Sequence, residues 1–392
     1  MSAERRVTAG MVAVGLVILL ITLGIATSGR SSDRLPTGPV AAVQDDHLAT
    51  APLEEIPGRL DLLAATGATA TRVDILWSLL SVGEPRVGTD PADDTYDWRR
   101  PDAIITGLAE RGITPIVSLY SAPGWAAADP AYGGLDDPFN PVKPGIPRTR
   151  AYADVMAALA LRYGGEYVPA GAAAPLPEVR HLELWNEPNF ARFLAPQVTD
   201  GRRTAMRAYA RMVRASYPAI KEANPEAVVI VGAVGPSGSN SDTRTGGLRW
   251  LEAMIAAGVP MDAWSQHVYP AAAPEVVTGA FPSWSSIGRL LSRLDDVAPG
   301  LPLYITEAGY TTSPTPVRDI MVTEEEQARH LRTIFALPQL QNSRIPAVVW
   351  FNLQDNPAWP AGLLREDGSA KPSLATFRAV TERQREEDTT LG

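Results

Sequence analysis

The chain has 392 residues, 45% hydrophobic and 20% charged, which is enough apolar material for a large core and argues against wholesale disorder. Its 35 basic and 44 acidic side chains leave a net charge of −9 and a pI near 5.1, so no basic excess draws the chain toward nucleic acid. Cysteine is absent, which excludes disulfides, iron–sulfur clusters, thiolate zinc sites and cysteine nucleophiles and leaves any chemistry to oxygen and nitrogen groups. At the N-terminus, Arg5 and Arg6 precede the apolar stretch Met11 to Ala26, and a small, polar run follows from Thr27 to Ser32. That is the export pattern, and with Val7 to Gly10 added the stretch reaches the ~20 residues of a membrane span. A cleaved signal peptide and a retained transmembrane anchor over residues 1–30 both fit. The basic side of the segment places everything after Arg30 outside the cytoplasm. Residues 31–39 read as a linker, and residues 386–392 as a solvated tail.

From residue 40 to 385, short β-branched runs alternate with longer segments of helical period, the signature of βα units and a parallel sheet. The expected strands are Val40 to Gln44, Ala70 to Leu76, Thr114 to Leu119, His181 to Trp185, Ala227 to Val234, Ala263 to Val268, Leu303 to Thr306 and Ala347 to Phe351. The expected helices are Leu53 to Thr66, Pro101 to Arg111, Arg148 to Tyr163, Arg202 to Ala223, Gly247 to Ala257, Ser286 to Val297, Glu324 to Leu337 and Pro372 to Arg385. Asp97 reads as a cap of the second helix, and Thr323 with Glu326 as a capping box on the seventh. Eight such units favour an α/β fold closed into a (β/α)8 TIM barrel over an open sheet. Long segments follow the strands (Trp77 to Tyr96, Ser121 to Pro147, Gly235 to Gly246, Asn352 to Ala370), while helix-to-strand turns are short. In a barrel those long loops gather at the C-terminal mouth, where active sites are built.

Two expected strands deliver a glutamate to that mouth. The fourth ends in Trp185-Asn186-Glu187-Pro188-Asn189 and the seventh in Thr306-Glu307-Ala308-Gly309-Tyr310. Paired carboxylates flanking one bond are what glycoside hydrolysis requires, one protonated to donate to the leaving oxygen and the other ionised to attack the sugar carbon. Their environments must split their pKa values.

Through these two motifs the sequence resembles the clan A retaining glycoside hydrolases; within the clan, the strand-two run Arg72 to Trp77 and the segment His267-Val268-Tyr269-Pro270 look most like family 39 and its exopolysaccharide-degrading relatives, with family 5 a close second. The resemblance implies Glu187 as general acid/base and Glu307 as nucleophile. It implies Asn186 as partner of the sugar 2-hydroxyl and Arg72 as the strand-two cation beside the nucleophile. His267 and Tyr269 then correspond to the strand-six aromatic pair, and Trp350 to the floor of the central sugar subsite. A permanent cation at Arg72 is expected to depress the pKa of Glu307; a structural ion pair with Asp74 is the plainer role. Trp77, Trp125 and Trp359 fall in mouth-side loops, where stacking on a sugar and ordinary packing both fit, and Tyr120 is similar.

A metal-dependent hydrolase is the main chemical rival. The four histidines, His47, His181, His267 and His330, show no HxH or HExxH spacing, and His330 fits the solvated face of a helix. Asp45-Asp46-His47 is the one constellation a metal might use; Asp46 and His47 are read instead as sugar-hydroxyl contacts or loop structure. The resulting expectation is a monomeric, extracytoplasmic glycosidase acting on a carbohydrate substrate. It needs no cofactor or metal, binds no nucleic acid, and meets the membrane only through its N-terminal segment. A non-catalytic carbohydrate-binding or cell-surface barrel that has lost activity is the alternative.

Overall fold

The computed structural model describes residues 38–129, 145–297, 299–315 and 319–391. The expected signal or anchor over 1–30 and most of the linker lie outside the described residues. Among the described residues, no helix is long and apolar enough to cross a membrane.

Eight parallel strands make one sheet: β1 (Val40–Gln44), β2 (Ala70–Leu76), β3 (Thr114–Tyr120), β4 (His181–Leu184), β5 (Val228–Val234), β6 (Ala263–Val268), β7 (Leu303–Ala308) and β8 (Ala347–Phe351). Hydrogen-bonded neighbours run β1-β8-β7-β6-β5-β4-β3-β2. The end strands β1 and β2 meet through side chains: the Thr71 hydroxyl donates to the Val43 carbonyl at 2.6 Å, and the Gln44 amide to Asp74 Oδ2 at 3.0 Å. The helices that alternate with them are α1 (Ile56–Ala64), α2 (Arg99–Glu110), α3 (Thr149–Arg162), α4 (Thr204–Ala223), α5 (Gly247–Ala257), α6 (Ile287–Leu294), α7 (Glu324–Ile334) and α8 (Pro372–Leu391). This is the expected (β/α)8 barrel.

Strands covered on both faces must be apolar nearly throughout, and Val228–Val234 carries no polar side chain. Inside the barrel, Ala42, Ala70, Ile116, Ile230, Ala263, Tyr304, Ala347 and Val349 pack into their own cluster, separate from the larger core between strands and helices. Polar side chains then replace apolar ones toward the mouth, where Gln44, Arg72, Asp74, Ser118, Glu183 and Ser265 occupy inward positions.

Two strands carry an extra residue. Along β5 the pairing with β6 shifts between Val231 and Val234, where Gly232 and Ala233 take φ of +128° and +44°. A Cβ at Gly232 would collide with the backbone of Ser265, so only glycine fits there. Along β7 the partners change from Ser265 with Tyr304 to His267 with Glu307. Strict alternation would put Glu307 on the face opposite Tyr304; the bulge brings both to the inside.

Three local expectations change. Trp98 rather than Asp97 occupies the N-cap position of α2, without a side-chain capping bond, and Asp97 one residue earlier accepts the Arg99 amide at 3.1 Å and binds its guanidinium. His330 is buried, not solvated, with its ring 4.6 Å from that of Tyr310. The tail expected from residue 386 continues α8 to Leu391, and its first residues are exposed as a solvated tail would be. The capping box of Thr323 and Glu326 on α7 is present.

Candidate active site

β4 stops at Leu184, and the chain then turns through Trp185 (φ +70°) and Glu187 (φ +38°), left-handed conformations that cost a non-glycine residue about 1–3 kcal/mol each. Buried tyrosines from two helices hold this turn. The Tyr152 hydroxyl of α3 accepts the Trp185 amide and donates to the Leu119 carbonyl, both at 2.9 Å. The Tyr209 hydroxyl of α4 donates to the Leu184 carbonyl and accepts the Gly232 amide, again at 2.9 Å. The bulge in β5 completes the grip, because the Ala233 carbonyl accepts the Glu187 amide at 2.8 Å. Glu307 arrives from the opposite side of the barrel on the bulge of β7.

The two carboxyl groups converge. His267 Nδ1 lies 3.0 Å from Glu187 Oε1 and 3.3 Å from Glu307 Oε2, and an oxygen of each glutamate lies within 4.8 Å of the other. Tyr269 donates its hydroxyl to Glu307 Oε2 at 2.8 Å, and Arg72 Nη1 donates to Glu307 Oε1 at 2.9 Å. Arg72 Nη2 donates to Asn186 Oδ1 at 2.8 Å, which commits that oxygen and leaves the Nδ2 donor of Asn186 for another group. The structure thus brings together six of the residues named from sequence: Arg72, Asn186, Glu187, His267, Tyr269 and Glu307.

Of the residues beneath them, sequence reasoning named only Asp74, as an ion-pair partner of Arg72, and that pair is present. Arg72 is wholly buried, and its guanidinium serves several acceptors besides Glu307. Its Nε donates to Glu183 Oε2 at 2.7 Å, its Nη1 to Gln44 at 3.1 Å and its Nη2 to Ser118 at 3.1 Å, while Asp74 Oδ1 stands 3.0 Å from Nη1. One cation therefore answers three carboxylates, and they share it unequally. Burial works to raise the Glu183 pKa, yet Arg72 and then His267 hold that carboxyl below its usual range. Asp74 goes the other way: burial raises its pKa, and the Arg72 charge does not offset the burial and the nearby Glu183. Burial also dominates at Glu307, where His267 and Arg72 pull down, Glu187 and Asp74 push up, and the pKa rises to about 7. Arg72 thus lowers the Glu307 pKa as expected, but burial outweighs it and the net shift is upward. Burial alone would lower the His267 pKa, but Glu307 and Glu187 together raise it. Arg72, Asp74, Ser118 and Glu183 stand on strands as polar residues at alternate, inward positions of otherwise apolar runs, and that was their signal in the sequence.

The remaining aromatics divide. Trp77 is wholly buried, packed edge-on at 5.5 Å against Trp125 and 5.8 Å from Tyr152, so it supports the wall and presents no face for stacking. Trp350 is also wholly buried, its indole N–H donating to the Ala361 carbonyl at 2.9 Å; in this structure it is no exposed floor. Trp125 and Trp359 are half-buried, and Trp359 stands edge-on to Tyr269 at 5.0 Å. Tyr120 donates its hydroxyl to Asp74 at 3.2 Å. His47 is held by Asp45 and Asp46, whose bonds raise its pKa to about 9 against the effect of burial.

Among the described residues, two clusters could in geometry approach a metal ion, Asp45 with Asp46 and His47, and Glu187 with His267 and Glu307. The oxygens of Asp45, Asp46 and Glu307 are otherwise engaged. Arg59 binds both oxygens of Asp45, the amides of Asn352 and Asn356 take those of Asp46, and Arg72 and Tyr269 take those of Glu307. A guanidinium on a would-be ligand competes directly with a metal cation.

No protein-family model matches the sequence, and no curated protein matches it. Solved structures do share the fold. One is a family 39 glycoside hydrolase from the gut symbiont Bacteroides cellulosilyticus, with a TM-score of 0.60 and 20% identity over 88% of this chain. This chain spans 64% of that protein's length. A glucosidase from Croceicoccus marinus gives a TM-score of 0.62 at 16% identity, covering 89% of this chain and 68% of that one. A GH39 β-xylosidase from Caulobacter crescentus gives 0.56 at 20% identity, covering 89% and 73%.

Proposed function

We propose that this protein is a retaining glycoside hydrolase of the clan A type, with Glu307 as nucleophile and Glu187 as general acid/base. The observation that carries the reading is the convergence of the two glutamates on His267 Nδ1, with an oxygen of each within 4.8 Å of the other. Retaining enzymes hold their carboxyl groups about 5–5.5 Å apart, whereas inverting enzymes leave about 6.5–9.5 Å to admit a water. In the first step Glu307 attacks the anomeric carbon while Glu187 gives its proton to the leaving oxygen, so the glycosidic bond breaks and a glycosyl ester forms on Glu307. In the second, Glu187 takes a proton from water, the water oxygen attacks the same carbon, and Glu307 leaves as a carboxylate. Tyr269 and Arg72 fix the two oxygens of the nucleophile, and Asn186 offers its amide to a sugar hydroxyl. The glycosidase names of the structural neighbours agree with this reading, and their variety leaves the sugar open.

The export-like N-terminus supports action outside the cytoplasm, from a secreted or membrane-anchored monomer. A panel of polysaccharides and aryl glycosides tests the activity, and proton NMR of the first product tests its stereochemistry. Release of the retained anomer by native protein and its loss in Glu307→Ala is the expected result. Binding without release of reducing ends identifies a carbohydrate-binding barrel instead, and an inverted product rejects the double displacement.

A further inference from the structure

The rim next to Glu187 carries side chains that the reaction does not use. Phe190 follows one turn later, its amide donating to the Glu187 carbonyl at 2.9 Å. Its ring and the Glu187 carboxyl group crowd the same side of Gly235, where a Cβ would collide with both. Glycine at 235 is therefore what lets a half-buried aromatic ring lie against the general acid. Opposite Phe190, Arg244 forms an antiparallel bridge, locked by the Ala191 amide donating to the Thr243 carbonyl at 2.8 Å. Residues directly opposed in such a pair send their side chains to one face, so Arg244 accompanies Phe190. The loop bearing Arg244 is pinned from behind, because Arg203 donates to the Ser241 carbonyl at 2.6 Å and to that of Arg244 at 3.0 Å.

A second aromatic and arginine stand beside the first. Phe193 packs edge-on at 6.1 Å against Tyr120, at the mouth end of β3, and the Arg192 guanidinium carbon lies 4.9 Å from the Phe193 ring centroid. Arg192 and Arg244 are both exposed, and neither pairs with a carboxylate among the described residues; Asp242, exposed in the same loop, pairs with neither. Exposed arginines without a carboxylate partner among the described residues also occur elsewhere, Arg207, Arg211, Arg249 and Arg289 among them; what sets Arg192 and Arg244 apart is their place beside the reacting carboxyl group. A protein of net charge −9 repels polyanions overall, so uncommitted guanidinium groups beside its reacting carboxyl group act against the general field.

The general acid stands next to the leaving oxygen, so this rim borders the leaving-group side of the bond. We propose that it is a subsite for a glycan bearing carboxylates, such as a uronic acid polymer. Phe190 and Phe193 take apolar sugar faces, and Arg192 and Arg244 take carboxylates in the planar, two-pronged geometry that a guanidinium matches. The inference rests on the glycosidase reading and adds the substrate's charge.

The test is electrophoresis of the native protein through gels containing polygalacturonate, alginate or carboxymethylcellulose, each beside a neutral counterpart: esterified pectin, propylene glycol-esterified alginate and hydroxyethylcellulose. At least one carboxylated polymer should bind about tenfold more tightly than its neutral counterpart, the combined worth of two exposed ion pairs. Added salt should erase that excess. The double substitution Arg192→Gln with Arg244→Gln should abolish it, and Arg192→Lys with Arg244→Lys should restore part. Equal binding of charged and neutral forms, binding of none of the charged polymers, or an excess that survives the glutamine substitutions overturns the subsite. Turnover of aryl glycosides by the native protein is followed in parallel. Its absence rejects the glycosidase reading itself, whereas turnover without charge preference rejects only the subsite.

Discussion

Glu183 allows the division of charge around Arg72 to be tested without touching a reacting atom. It is wholly buried on β4, four residues before Glu187, and holds Arg72 Nε at 2.7 Å, while Glu307 holds Nη1 of the same guanidinium at 2.9 Å. The substitution Glu183→Gln keeps the shape and an oxygen for the Nε hydrogen bond but removes one negative charge. At an effective dielectric constant of ~20, a unit charge several ångströms away acts with about 2 kcal/mol, equivalent to one to two pKa units. Arg72 lies between the two carboxyl groups and damps that interaction, so the expected shift is about one unit. The direction follows from Coulomb's law: with Glu183 neutral, its repulsion of the Glu307 carboxylate is gone, the ionised form of Glu307 is favoured, and its pKa drops from about 7. The nucleophile must be ionised to attack, so kcat/KM for an aryl glycoside should fall on the acid side near neutrality in the native protein. In Glu183→Gln that limb should sit about one unit lower, with the plateau changed only severalfold. Equal loss of activity at every pH, with the limb unmoved, would mean that Glu183 only packs. A limb displaced upward refutes the repulsion of Glu307 by Glu183.

Tyr269→Phe removes the hydroxyl that donates to Glu307 Oε2 at 2.8 Å, a bond to a charged acceptor worth about 1.5–3 kcal/mol. Steady-state kinetics should show kcat/KM reduced about 10- to 100-fold, with the acid limb moved upward, the reverse of Glu183→Gln. His47 titrates near 9 in the folded protein against 6.5 for the free side chain, raised by its bonds to Asp45 and Asp46. A raised pKa gives stability that is fully present below 6.5 and lost as pH climbs through about 9. Thermal melts of native protein and His47→Gln should accordingly differ at pH 6 and converge at about pH 10; a constant difference rejects the pairing. Gly232→Ala forces a side chain into a left-handed position against the Ser265 backbone, so a loss of about 1–3 kcal/mol and a melting temperature several degrees lower are expected. Activity should fall as well, since the Ala233 carbonyl next to it holds the Glu187 amide.

The barrel was legible because its strands and helices have different hydrophobic periods and because nothing in the chain interrupts their alternation. β1, β2, β6 and β8 and helix α5 begin and end where the sequence places them. The errors came where a residue's surroundings are set by distant chain. His330 sits on a helix rich in charge, and only the arrival of Tyr310 from the loop after β7 buries it. Trp77 reads as a loop aromatic, yet the chain forms a short helix from Trp77 to Leu80 directly after β2, and Tyr152 of α3 and Trp125 close over its ring. The side-chain contacts that join β1 to β2 have no periodic signature at all.

The site was legible in its parts but not in its balance. Glu187 and Glu307 announce themselves at strand ends, yet alternation along β7 would turn Glu307 away from the interior, and nothing in Tyr304-Ile305-Thr306-Glu307 marks the extra residue that turns it back. Arg72 likewise looks from sequence like a cation free to ionise whatever carboxyl group it meets. Its effect depends on how many such groups it meets, and that number is set by register: Asp74 lies beside Ser118, and Ser118 beside Glu183, so Asp74 from the arginine's own strand and Glu183 from β4 reach the same guanidinium. Arg72 and His267 bring Glu183 below its usual range but do not offset the burial of Glu307, which is left near neutrality, where a change of one neighbouring charge moves it across the working range of pH. The control of Glu307 thus lies partly a layer below the reacting atoms, in Arg72 and Asp74, and partly beside them, in His267 and Glu187.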